Sequence, residues 1–250
     1  MKKMIMILLI VIIFVLGLSC KRKVDNEENN NDEEIKNDTK VEDTEEIVFT
    51  LDSELINELL EQIKVFDNIN YSNETNGKTI ATKGIIRYTQ KIYAKETKDG
   101  DNYYVLSKSS STFANSYHEA LFNSDSVNVK VKENDSYQSF DINDYRNRFG
   151  VVPWENFVGY LVNSDTITGI YKNDSFICIR LDNTLATVSM KTQMYELGGL
   201  SSEPDFLLLE LKIYFNNNVE KVDVYAKYTI KKGFLGEFDC EQNLTITFDY

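Results

Sequence analysis

Three hydrophobic patterns follow one another along the chain. Residues 4–18 form an unbroken uncharged run, and residues 21–46 then hold almost nothing apolar beyond Val24, Ile35 and Val41. At Leu51 a helical rhythm begins: Leu51, Leu55, Ile56, Leu59, Leu60 and Ile63 recur three or four residues apart, with Glu54, Asn57, Glu58, Glu61 and Lys64 on the other side. That spacing predicts an amphipathic helix, with Thr50 or Asp52 placed to cap its start. From about Ile80 the period drops to two, as in strands with one dry face. Ile86, Tyr88, Ile92 and Ala94 share one side, and Arg87, Thr89 and Lys91 share the other. The turn at residues 98–101 leads into Tyr103, Tyr104, Val105 and Leu106, which predicts a hairpin.

A second strand pair is predicted at residues 117–122 and 127–131. The polar stretch 133–148 reads as an interruption of the meander. Pro153, followed by Trp154, Phe157, Val158, Leu161 and Val162, predicts a short second helix. Strands resume at 167–171 and 175–181, and 184–197 leans toward helix. The last fifty residues alternate most regularly, through Leu207 to Phe215, Val222 to Ile230 and Leu244 to Tyr250. They predict a three-stranded antiparallel meander with one wet face.

The first run changes the picture of where the chain works. Lys2 and Lys3 precede it, and Leu16, Gly17, Leu18, Ser19 and Cys20 close it. These residues resemble the signal of a bacterial lipoprotein, in which a cysteine after a small residue is acylated and becomes the first residue of the mature chain. The resemblance implies cleavage before Cys20, its lipidation, and an extracytoplasmic, lipid-anchored location at the cell envelope. Gly17 stands where the strict pattern has Leu. The competing reading is an uncleaved anchor, but fifteen residues fall short of the roughly 20 that span a bilayer. At about 0.8 kcal/mol per buried methylene, two or three acyl chains hold a protein at the membrane permanently.

Residues 25–46 carry eleven acidic side chains against Lys36 and Lys40. A segment so charged and so poor in apolar surface cannot offset its ordering entropy, so 21–46 reads as a tether with a coil dimension of about 30 Å. A cation-binding tail has the right charge but no ligand spacing. Residues 47–250 then make one domain with room for a sizeable core. The formal charge of −13 disfavours nucleic acid as a partner.

A leading amphipathic helix, long alternating strands, a helical interruption and a closing meander resemble, over 47–250, the LolA and LppX-like lipoprotein carriers. That resemblance implies an α+β fold, mostly antiparallel β: an incomplete (half) β-barrel with an N-terminal helix and one or two short helices on its concave side. It also implies non-covalent binding of a lipid or other apolar ligand, with no cofactor. A half-barrel is hard to fill without large side chains, and the chain has fifteen Tyr and fourteen Phe. Leu55, Leu59, Ile63, Trp154, Phe157, Leu161, Met190 and Met194 are the candidates to line a cavity. The same stripes would serve equally as filled core, which suits the alternative of a surface or periplasmic protein-interaction module recognising its partner on polar outer strands or exposed tyrosines.

Little points to an enzyme. The single histidine, His118, lies in a strand-like run, no metal spacing is present, and the paired glycines 198–199 and 233 and 236 read as turns. Carboxylates such as Asp141, Asp144 and Glu155 single out no acid and base. Cys178 and Cys240 form either a disulfide, which an export compartment permits, or two buried thiols.

Overall fold

The computed structural model describes residues 47–64, 69–111, 115–133, 135–149, 153, 162–183 and 200–250. The signal with Cys20, the tether, the helix expected over 153–162 apart from its end residues Pro153 and Val162, the helix expected over 184–197, and the candidates Trp154, Phe157, Leu161, Met190 and Met194 lie outside the described residues.

Helix α1, Ser53–Lys64, forms where the helical rhythm predicts it. Asp52 Oδ1 accepts the backbone N–H groups of Glu54 at 3.0 Å and Leu55 at 3.1 Å, satisfying two donors that the first turn leaves open. Ile56, Leu59 and Ile63 are buried, each worth about 2 kcal/mol in area removed from water, and Leu55 and Leu60 pack half-buried against the same core.

Eleven strands follow: β1 Tyr71–Lys83, β2 Ile86–Asp99, β3 Asn102–Ser111, β4 Asn115–Asn123, β5 Asn128–Glu133 and β6 Ser136–Asp141. After helix α2, Ile142–Phe149, come β7 Ile167–Lys172, β8 Ile177–Leu181, β9 Asp205–Asn216, β10 Asn218–Lys231 and β11 Glu237–Asp249. They build one antiparallel sheet in the order β6-β5-β4-β3-β2-β1-β11-β10-β9-β8-β7. Two meanders are thus joined where β1 pairs with β11, from Ser72 opposite Asp249 to Thr82 opposite Asp239. The sheet stays open, with β6 and β7 at its two ends. This is the half-barrel that the resemblance implies.

Both edges are managed. Beside β7 the backbone of Thr50 exchanges hydrogen bonds with Ile170 at 3.0 and 2.8 Å, and Phe49 lies over Gly169, where a Cβ would sit 2.9 Å from the Phe49 Cβ. At the far end, β4 pairs with β5 through Ala120–Val131 and Leu121–Lys130. Glu119 fastens that end from outside: it accepts hydrogen bonds from Tyr117, from Tyr137 at 2.7 Å and from Lys132 at 3.0 Å, so one carboxylate ties three strands. Those bonds hold its pKa down to about 2.

Two expectations are corrected. The stretch 133–148 is not an interruption: it supplies β6 and α2. An edge strand wet on both sides needs no alternation, and α2 enters the core through Tyr145, fully buried, with Phe149 beside it. The first strand begins at Tyr71, well before Ile80. Cys178 and Cys240 are free and buried. Cys178 alternates with the core-facing Ile177 and Ile179 and so lies on the opposite face from Cys240, which pairs across to Ala81 and Tyr228. Three strand spacings, about 14 Å, also separate them, beyond the reach of a disulfide. Burial pushes their thiols up to about 11 and about 12.

Candidate functional site

The inner face of the sheet changes chemistry across its width. On β8 to β11 the inward positions are mostly apolar, with Ile179, Leu211, Val224 and Leu244 forming one row. Helix α1 packs on β7 and β10 and covers this half. There the structure places Leu59 and Ile63, buried, and Leu55, half-buried.

Beyond β11 the row crosses Gly77 to Ile92, and polar side chains appear among the apolar ones on the inner face. Gly77 is required by close approach: a Cβ would lie 2.3 Å from the Asn243 carbonyl oxygen and 2.5 Å from Leu244 Cδ2. On either side the strands bring polar groups together. Gln90 Nε2 donates to Ser109 Oγ at 2.8 Å, the Ser109 and Ser116 hydroxyls lie 2.6 Å apart, and Gln242 Nε2 donates to Thr79 Oγ1 at 3.0 Å. The Tyr71 hydroxyl donates to Glu96 Oε1 at 2.5 Å.

Other buried polar atoms have no such partner. Asn73 Oδ1, Thr75 Oγ1, Glu96 Oε2, Ser107 Oγ and Gln242 Oε1 are all enclosed without a hydrogen bond. Four of them adjoin. Thr75 stands opposite Ala94, which stands opposite Ser107, and one step along the strands Asn73 stands opposite Glu96. Sheet geometry makes this patch about 10 Å by 7 Å, with Ala94 at its centre. Burial pushes the Glu96 carboxyl up to about 8, against the pull of the Tyr71 hydrogen bond and the Lys98 charge, so it stays protonated at neutral pH. The patch is therefore uncharged.

At the β4 end, α2 bounds the floor. His118 Nε2 and Tyr145 Oη lie 3.0 Å apart, the Phe149 ring lies tilted with its centroid 5.0 Å from that of the imidazole, and Tyr145 meets Phe122 edge-on. Burial pushes His118 down to about 4, so the ring is neutral in the physiological range. Among the described residues no cluster of His, Cys, Asp and Glu could hold a metal ion, and no helix is long and apolar enough to cross a membrane.

Sequence reading placed candidate ligand contacts on helices and missed this floor. Its signal was the inward series Asn73, Thr75, Gly77, Thr79, which keeps period two without being apolar.

No family model matches the chain, and no curated protein matches it in sequence. Solved structures do resemble it. LprF from Mycobacterium bovis shares 14% identity over 79% of this chain and 92% of that one, with a TM-score of 0.37. A DUF1329 family protein from Desulfovibrio piger shares 10% identity over 78% of this chain and 90% of its own, with a TM-score of 0.27. A putative outer membrane lipoprotein-sorting protein domain from Vibrio parahaemolyticus shares 10% over 76% of this chain and 91% of its own, at 0.25. Their low TM-scores mark a loose superposition, and the half-barrel description rests on this chain's own strand pairing.

Proposed function

We propose that the protein is a cell-envelope lipoprotein, anchored through acyl chains on Cys20, whose half-barrel binds an amphiphilic lipid without covalent chemistry. One observation carries the reading: the inner face of an open sheet holds buried hydrogen-bonding atoms, on Asn73, Thr75, Glu96, Ser107 and Gln242, that no described residue satisfies. A filled core tolerates few such atoms, because each costs about 1–3 kcal/mol. A surface meant to receive a ligand keeps them until the ligand arrives. Leu55, Leu59 and Ile63 supply the apolar wall, and the reading needs no catalytic residue.

The substitution Ala94→Phe tests it in the full chain. With a ligand space above the floor, the variant melts within a few degrees of the parent and loses co-purifying lipid. With a filled core, the added ring over-packs the sheet at a cost of about 1–3 kcal/mol, and lipid content is nil in both proteins.

A further inference from the structure

We infer that the protein docks on an anionic lipid bilayer through two joined hairpin tips, with Ile85 and Phe234 entering the membrane and basic side chains meeting its head groups. The inference stands apart from what the sheet binds and goes beyond the acyl anchor, whose tether leaves the domain's orientation open. β1 turns into β2 at Gly84 and Ile85, and β10 turns into β11 through the 3-10 turn Gly233–Leu235. Because β1 runs antiparallel to β11, with Thr82 opposite Asp239, both tips lie at one end of the sheet. Lys83 joins them: its Nζ donates to the Leu235 carbonyl oxygen and lies 5.8 Å from the centre of the Phe238 ring. The second tip is held in shape. The Lys232 N–H donates to the Gly236 carbonyl at 3.0 Å, that of Leu235 to the Lys232 carbonyl at 3.0 Å, and that of Gly233 to Ser201 Oγ at 2.6 Å.

Turns favour Gly, Asn, Asp and Ser, yet Ile85 and Phe234 stand fully in water here, with Ile86 and Leu235 44% and 41% exposed. The turns at the opposite end, 100–101, 124–127, 173–176 and 217, follow the usual chemistry, and Val127 is their one large exposed hydrophobic. Around the four apolar side chains lie Lys83, Arg87, Lys231 and Lys232, against Glu237, which pairs with Lys231 at 3.3 Å, and Asp239. The two tips are thus net positive on a chain of formal charge −13. Apolar tips within a basic collar match a surface that offers hydrocarbon beneath anionic head groups. A second copy of the chain meeting tip to tip would instead set like charges together.

The test reads where the tip sits. Ile85→Cys in the full chain is labelled with an environment-sensitive NBD maleimide and carried by detergent removal into vesicles of phosphatidylcholine, or of equal parts phosphatidylcholine and phosphatidylglycerol. Cys178 and Cys240 are buried, and the parent chain serves as the labelling blank. A label at Asp125→Cys reports the opposite end. With phosphatidylglycerol, emission from Ile85→Cys is expected to shift to the blue while that from Asp125→Cys stays aqueous. The ratio of inserted to free tip should exceed that in phosphatidylcholine about tenfold, the worth of one or two cations at an anionic surface. Adding Phe234→Ser and Leu235→Ser should lower the ratio at least about tenfold, and Phe234→Ser alone, at a fully exposed position that folding does not depend on, should lower it part of the way. Aqueous emission from Ile85→Cys in both vesicles, an equal shift at both ends, or a shift indifferent to phosphatidylglycerol or to the serine substitutions overturns the docking. So does a blue shift that appears without vesicles and grows with protein concentration, which would assign the tips to a second copy.

Discussion

Replacing Glu96 by Gln gives the sharpest test of the polar floor, because it turns burial into a slope against pH. The carboxyl titrates near 4.5 when exposed and is raised to about 8 in the folded chain. Between those values the folded state keeps a proton that the unfolded chain releases. The contribution of this group is therefore fully present below pH 4.5 and is lost as pH rises toward 8, at about 1.4 kcal/mol per pH unit. From pH 5 to pH 7 the parent protein should lose about 3 kcal/mol relative to Glu96→Gln, which has no proton to hold and keeps an oxygen to accept from Tyr71. Guanidinium unfolding of both full chains, followed by far-ultraviolet circular dichroism at pH 5, 6 and 7, reads the difference directly. Other titrating groups are common to both proteins and cancel. Parallel curves at all three values would refute the buried, protonated carboxyl and with it the uncharged floor.

His118 acts at the acid end. Its pKa is lowered from 6.5 to about 4, so stability present above pH 6.5 should be lost as pH falls toward 4, and His118→Gln should flatten that limb in the same unfolding assay. Gly77→Ala should cost several kcal/mol, visible as a fall in Tm of ten degrees or more, because its Cβ meets the backbone of β11 at Asn243 and Leu244 as well as the Leu244 side chain. An unchanged Tm would show that β1 and β11 can part. Asp52→Ala removes the α1 cap and should cost about 1 kcal/mol, measured as a denaturation midpoint shift with unchanged slope. Cys178 and Cys240 should appear as unlinked thiols in non-reducing peptide maps, and one bridged peptide would contradict the strand order.

Most of the scaffold was legible from hydrophobic period alone. β7 to β10 carry mostly apolar residues at alternate positions and α1 carries its stripe at helical spacing, so the strands and the helix could be read before any coordinates, while the half-barrel came from the resemblance in their order. What escaped was the part that bears on function. β1 turns Asn73, Thr75, Gly77 and Thr79 inward, and a reading that looks for apolar alternation sees a polar loop there. Its order comes from two long ladders, to β2 and to β11, and the second of these joins residues about 170 apart in the chain. β6 and α2 escaped for a related reason: the strand lies at an edge and the helix holds on by a few aromatic contacts. Sites that depart from the local rule are where function tends to sit, and here the departure is four adjoining polar residues on a dry face.

The most direct test of lipid binding is native mass spectrometry of the full chain, purified from bacterial membranes and freed of detergent in the gas phase. The account predicts a peak heavier than the acylated chain by one non-covalent amphiphile, released at higher collision energy and absent from Ala94→Phe. A single peak at the acylated chain mass, with no lipid in a parallel solvent extract, would contradict it and leave a filled half-barrel that meets its partners on the outer strands.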